Sequence, residues 1–358
     1  MTILSIVLMI LFFGLLIAVH EFGHFAAAKS LGVRVEEFAI GMGPKLFSRK
    51  RGETLYSLRA LPIGGFCAME GEEEASDDPR SFSSKPAWKK LVILAAGAFM
   101  NFVAGLVIIV LLFAAAGVPS LPVVNGYLEG AEDIQDQGLL VGDEFYSIDG
   151  HRTYFQSDAI LFLGRAGEDV EIEVVRDGRR VDLGTLHLPY RVAVEENGQQ
   201  VLKRGVTVGA LREMGPLDTL RYGWYQAIDY VRTVWMSLGD LVTGAVGLDD
   251  MSGVIGITVV AGQMGEQGAQ AAGLAGVLLN LLNFTALIAV NLAVMNLLPI
   301  PALDGGQILF VLFGAVYRLF TRREIDQKVL GYINMVGFVC LMGLMVVVAL
   351  NDVRRFIL

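Results

Sequence analysis

Histidine and cysteine are both scarce, with four and two residues in a chain of 358. The cysteines, Cys67 and Cys340, lie in segments of different character and form no CxxC pair, which argues against a disulfide framework or a cysteine-built metal site. Positive charge is short as well: 28 Lys and Arg stand against 37 Asp and Glu, for a net charge of -9. No basic stripe interleaved with aromatic residues occurs, so nucleic acid is not an expected partner.

What the chain has in excess is apolar length. It is 54% hydrophobic with a mean hydropathy of +0.56, yet 18% of its residues are charged. That mixture describes a protein partly in a membrane and partly in water. Residues 3–19 carry no charge, and the helix they predict continues to about Ala28, long enough for roughly 30 Å of hydrocarbon. A cleaved signal peptide is the alternative for this stretch, but it lacks a basic leading region. Residues 91–118, 274–298 and about 329–350 are the second, third and fourth spans.

Between the first two spans, residues 29–90 contain about eleven Lys and Arg, which by the positive-inside rule places them in the cytoplasm and the N-terminus outside. Alternating patterns at 33–35 and 55–59, with a turn at Lys50-Arg51-Gly52-Glu53, predict a small β-hairpin there. Gly41-Met42-Gly43-Pro44 and Pro62-Ile63-Gly64-Gly65-Phe66 predict sharp bends, and residues 70–78 read as an acidic, solvated connection. Arg318, Arg322, Arg323 and Lys328 predict a second basic loop on the same side.

The first span ends in His20-Glu21-Phe22-Gly23-His24, an HExxH pattern. On a helix His20 and His24 share one face, so both rings can reach one Zn²⁺, and Glu21 beside them can take a proton from water. The bland alternative is a pair of satisfied core histidines. Four histidines make a chance HExxH rare, and an ionisable group within a membrane helix costs roughly 2.5–3.5 kcal/mol unless a partner, cavity or metal receives it. The pattern points to metal-assisted peptide hydrolysis.

The third span ends in Asn296-Leu297-Leu298-Pro299-Ile300-Pro301-Ala302-Leu303-Asp304-Gly305-Gly306, where two prolines and two glycines break the helix. Spans one and three run in the same direction and both carry their polar motif at the inward end. A catalytic zinc site uses three protein ligands and an open position, which makes Asp304 the expected third ligand; an ordinary turn aspartate before Gly-Gly is the alternative. Asn101, four residues after Gly97 in the second span, is expected to act as interhelical packing glue.

Residues 119–212 read as a water-exposed α+β domain with turns at Asp149-Gly150 and Asp177-Gly178. The run from Gly138 through Gly142-Asp143 to Asp149-Gly150 resembles PDZ domains, which receive an extended peptide at a sheet edge. His151 and His187, within it, are expected to be structural. Leu220, Trp224, Ile228, Val231, Trp235, Leu238 and Leu241 predict an amphipathic helix on the outer membrane surface, and the Gly-rich residues 252–265 a loop or short re-entrant piece.

Together these motifs resemble the site-2 protease family of intramembrane zinc metalloproteases, most closely its bacterial regulator-of-sigma-E-protease branch. HExxH stands as His20–His24, the family's NxxPxxxxDG as residues 296–305, and one PDZ-like domain lies between spans two and three. Two departures are Ala98, where many relatives have proline, and a single PDZ-like unit where the enterobacterial type has two. The resemblance implies zinc on His20, His24 and Asp304, with Glu21 as general base and acid. It implies a substrate-positioning role for Asn296, with Pro299 and Pro301 of the same motif grouped as substrate-binding. Its expected partners are the lipid bilayer and membrane-anchored proteins with helical transmembrane segments, such as anti-sigma factors already trimmed outside, or remnant signal peptides.

The expected fold is therefore a multi-pass α-helical membrane protein of about four transmembrane helices. It carries a small cytoplasmic β-hairpin region and an inserted extracytoplasmic PDZ-like α+β domain, in a bacterial cell (inner) membrane. The expected divisions are 1–118, 119–212, 213–272 and 273–358. Two rival readings remain: a membrane binding module with a structural metal, and a transporter whose broken third span lines an ion path, although no inverted repeat is evident.

Overall fold

The computed structural model describes residues 2–72, 76–194, 200–212, 215–247, 251–321 and 327–356. The chain opens with α1 (Thr2–Ser30), β1 (Val35–Arg51), β2 (Thr54–Met69) and α2 (Ala87–Ala116). Then come β3 (Leu121–Tyr127), the single turn α3 (Asp133–Asp136), β4 (Glu144–Ile148), β5 (His151–Arg152) and α4 (Gln156–Arg165). After these follow β6 (Asp169–Arg176), β7 (Arg179–His187), β8 (Arg191–Val194), β9 (Gln200–Lys203) and β10 (Val206–Ala210). Four helices close the chain: α5 (Pro216–Thr243), α6 (Val254–Asn296), α7 (Asp304–Thr321) and α8 (Gln327–Phe356).

Two compact units result, Phe113–Asp229 and the combination of Met1–Leu112 with Tyr230–Leu358. Among the described residues, four helices are long and apolar enough to cross a membrane: Ile3–Ser30, Ala87–Ala116, Ile255–Asn296 and Val329–Arg355. The first stops where Gly32 takes a left-handed backbone (φ 74°) and Val33 N–H closes back on Ala28 O at 2.8 Å, a glycine-dependent helix end.

The third of these spans corrects one expectation. Of the two expectations for residues 252–265, a loop or a short re-entrant piece, the structure removes the loop, because helix α6 begins at Val254. It breaks at Ala272 and Gly273 (φ 58°), and its arms, 254–271 and 274–296, fold back on each other. Asn280 Nδ2 donates to Met264 O at 2.9 Å, and a Cβ on Gly268 would strike the backbone of Gly276. Glycine weakens a helix in isolation but lets two helix backbones touch, and here that contact prevails over propensity. Asp352 of α8 pins the start of α6 by accepting from Gly253 N–H at 3.0 Å and Gly256 N–H at 2.9 Å.

Met9 and Leu16 of α1 pack with Ala261, Val277, Leu281 and Ala289 of α6 in one buried cluster. A second joins Ala28, Val35, Cys67, Met69, Ile93 and Leu94, tying the ends of α1 and α2 to the hairpin. The hairpin turns at Gly52 (φ 63°) as expected and bends again at Gly41 and Gly64. These bends fold it into four short stretches: residues 37–40 pair on one side with 55–58 and on the other with 65–68, and 45–51 pair with 54–59. Residues 65–69 are left at one margin.

Residues 70–78 were expected to be a solvated connection; 73–75 lie outside the described residues. The remainder is tied down by Ser76 Oγ on Glu70 (2.6 Å) and Phe82 N–H on Glu70 O (2.7 Å). Arg318 sits in the last turn of α7 instead of a loop; Arg322, Arg323 and the side chain of Lys328 lie outside the described residues.

The unit Phe113–Asp229 holds a sheet in the order β10-β3-β4-β6-β7, with β5 paired to β4 and the short pair β8-β9 apart. Phe145, Ile148, Phe155, Ile172 and Leu188 form its buried core. The Gly138–Asp143 run has a physical reason: Gly138 and Gly142 adopt positive φ (98° and 96°), and Asp143 is 1% exposed. Its carboxylate accepts Arg176 Nε at 2.7 Å and Leu140 N–H at 2.8 Å. Both expected Asp-Gly turns form, with positive φ at Asp149-Gly150 and Asp177-Gly178. His151 stacks on Phe162 and His187 pairs with Asp169 at 2.8 Å, as structural residues would.

Candidate metal centre

Helix geometry alone puts His20 and His24 on one face of α1; the tertiary fold supplies the rest. Their Nε2 atoms lie 3.2 Å apart. Asp304, first residue of α7, places Oδ2 3.3 Å from His20 Nε2 and 3.4 Å from His24 Nε2. That oxygen is buried without a hydrogen-bond partner among the described residues. Ligand bonds of 2.0–2.1 Å to a tetrahedral ion put donor atoms about 3.3–3.4 Å apart, so these three atoms fit the edges of one zinc site. One cation shared by the three atoms satisfies them together, and two imidazoles with a carboxylate are a donor set that suits a divalent metal.

Each ring is held from behind. His24 Nδ1 donates to Ile93 O of α2 at 2.8 Å, leaving Nε2 as its electron-pair donor. Behind His20, Nδ1 is 3.4 Å from both Asn101 Nδ2 and Asn296 Nδ2. Asn101 is 1% exposed, and its Oδ1 has no partner among the described residues. The expectation that Asn101 serves as packing glue is thus incomplete, because its amide abuts a site histidine.

The approach of α1 and α2 depends on two glycines. A Cβ on Gly23 would strike the carbonyl of Ala96, and one on Gly97 would strike His24 Nε2. Gly23, Gly97 and Asn101 therefore lie against the two site histidines or the helix contact that positions them, and the sequence signalled only the four-residue spacing of Gly97 and Asn101.

Glu21 faces the hairpin margin. Its carboxylate lies by the Cys67 backbone amide, and Gly65 gives it room: a Cβ there would be 3.3 Å from Glu21 Cγ. Burial, with the Glu21 carboxylate nearby, pushes the Cys67 thiol up to about 12. A cavity of about 1280 Å³ joins His20, Glu21, His24 and Asp304 to hairpin residues 66–69 and to Phe310 and Asn334 of the last two helices.

Asp304 arrives by way of the broken segment. Ala302 adopts a left-handed backbone (φ 73°), and its N–H donates to Asn334 Oδ1 of α8 at 2.6 Å. Pro299 and Pro301 lie in this turn, with Pro301 against Gly337.

Two histidines and a carboxylate around one point, a second carboxylate alongside and helices of membrane-spanning length define a membrane metallohydrolase. The sequence pattern of Peptidase family M50 matches residues 8–344. The chain is 39% identical to a candidate zinc metalloprotease of Clostridium perfringens over 350 residues, covering 97% of this chain and 98% of that one. It is 29% identical to the regulator of sigma-W protease RasP of Bacillus subtilis over 437 aligned positions, covering 99% of each. The zinc metalloprotease RasP of Geobacillus kaustophilus is 27% identical, covering 100% of this chain and 99% of that one. The chain belongs to peptidase family M50, and it is a zinc metalloprotease and a membrane protein.

Proposed function

We propose that this chain cleaves membrane-anchored proteins within or next to a transmembrane helix, with His20, His24 and Asp304 holding the zinc and Glu21 moving the proton. The observation that carries this reading is the triangle of Nε2, Nε2 and Oδ2 atoms 3.2–3.4 Å apart, with both histidines on a helix of membrane-spanning length and Asp304 at the start of α7. A zinc ion held by these three residues would supply polarisation of the scissile carbonyl and a water whose pKa is lowered towards 7. Glu21 takes the proton of the attacking water and delivers it to the leaving amide nitrogen. His24 is kept in one tautomer by Ile93 O. His20 needs an acceptor at Nδ1, and Asn101 Oδ1 serves when its amide is turned over.

A helical substrate shields its own carbonyls, so it must unwind and lie extended. The hairpin margin 65–69 borders the cavity that Glu21 also lines and suits strand addition. Asn296, beside His20, is assigned to positioning that strand, with Pro299 and Pro301 framing the turn. The basic 29–90 segment supports a cytoplasmic hairpin in a bacterial inner membrane, with the N-terminus and the PDZ-like residues 119–212 outside. That outer part restricts access, so substrates arrive already trimmed.

The test is cleavage of a single-span membrane substrate by the purified full-length protein. Activity should disappear with a zinc chelator and return with stoichiometric Zn²⁺. Cleavage that survives complete metal removal would overturn the proposal.

A further inference from the structure

We propose that Asn334 of α8 is a positioning residue for the third zinc ligand, locking the 299–303 turn in the one shape that presents Asp304 to the two histidines. The inference rests on the reading of Asp304 as a ligand.

Pro299 and Pro301 carry no N–H, so few donors define this turn. Ile300 N–H is satisfied within it by Leu298 O (2.7 Å), and Leu303 N–H by Ile300 O (3.2 Å). Ala302 differs. It holds a backbone conformation that alanine rarely adopts (φ 73°), and its N–H leaves the turn to reach Asn334 Oδ1 at 2.6 Å. A non-glycine residue in the left-handed region persists only where its surroundings over-determine it.

A second contact on the same face of α8 fixes the turn. Gly337, three residues on, receives Pro301: a Cβ there would strike Pro301 Cβ and lie 3.1 Å from its Cγ. Asn334 and Gly337 thus make a socket that holds Pro301 by shape and Ala302 by a hydrogen bond. Asp304 follows two residues later and opens α7, so a small rotation at Ala302 swings its carboxylate away from Nε2 atoms only 3.3 and 3.4 Å distant. Asn334 also lines the cavity, and direct contact with substrate is the competing role.

Zinc affinity of the full-length protein in detergent, the absorption spectrum of its Co²⁺ form and KM for a model substrate separate these roles. Asn334→Ala should weaken zinc binding roughly tenfold or more, as loss of a ligand-orienting partner does, and shift the cobalt bands. Asn334→Asp, which keeps an oxygen acceptor at the same place, should restore both close to wild type. If the Ala variant fails to insert, Asn334→Gln, whose oxygen sits one methylene further out, takes its place with the same expectation. Wild-type zinc affinity and cobalt bands with a raised KM would overturn the proposal in favour of substrate contact. Asp304→Ala in parallel keeps the two ideas apart: if it also leaves zinc affinity unchanged, the ligand reading itself has failed, whereas if it alone loses zinc, only the role of Asn334 has.

Discussion

Gly97 faces the imidazole of His24 with no room for a side chain; a Cβ there would run into Nε2 and lie 2.7 Å from His20 Cε1. Gly97→Ala is therefore expected to displace a ligand ring and lower zinc affinity by about tenfold to a hundredfold. Gly105→Ala, farther along the same helix, is the control: its Cβ would meet Val290 Cγ2 at 2.8 Å, a helix-packing contact. That variant should lower thermal stability while the folded protein still binds zinc normally. Equal zinc affinity in both variants would mean that the α1–α2 approach does not shape the site.

Removing a base should differ from removing a ligand. Glu21→Gln is expected to keep stoichiometric zinc and lose cleavage by about 10²–10⁴-fold. His20→Ala, His24→Ala and Asp304→Ala should each lose zinc together with activity. Metal analysis beside a cleavage assay decides it, and zinc-free Glu21→Gln protein would remove Glu21 from the role of base.

The hairpin should loosen in acid. Burial raises the Glu37 carboxyl, but hydrogen bonds from Ser57 (2.6 Å), Arg59 (2.8 Å) and Lys45 (3.0 Å) outweigh it and hold the group down at about 2, against 4.5 for a free side chain. Its folded value is depressed, so the stability it contributes is complete above about pH 4.5 and is lost as pH falls towards 2. Hydrogen exchange of residues 35–59 should show protection at pH 7 that declines through this window. In Glu37→Gln protection should start lower and change little. An acid response identical to wild type in that variant would assign the effect elsewhere.

Orientation follows from the charge distribution. A cysteine replacing Lys50 in the basic 29–90 segment should be shielded from an impermeant thiol reagent in intact cells, whereas one replacing Asp182 should be labelled. The opposite pattern would reverse the proposed topology.

If residues 119–212 limit access only, replacing 122–208 by a short flexible linker should leave cleavage of a pre-trimmed substrate largely intact and increase cleavage of an untrimmed one. Loss of trimmed-substrate cleavage with normal zinc content and membrane insertion would make that segment part of the catalytic assembly.

Local rules made much of this protein legible from its sequence. Helical periodicity puts His20 and His24 on one face, an uncharged run of sufficient length makes a span, and Asp-Gly pairs make tight turns, because each depends on residues a few positions apart. The pairing of Asp304 with those histidines was also readable, since two spans of like direction bring their polar ends to one depth. Other features depended on which backbones touch. The Gly-rich 252–265 segment becomes a helix because Gly268 meets Gly276 and Asp352 holds its start. Asn101 turns from packing residue to neighbour of His20 because Gly23 and Gly97 let α1 and α2 close. Asn334, 30 residues beyond Asp304 in sequence, reaches the ligand turn only through the docking of α8. A hydrogen bond or steric gap between distant residues leaves no periodic trace in sequence, so only the packed structure decided those positions.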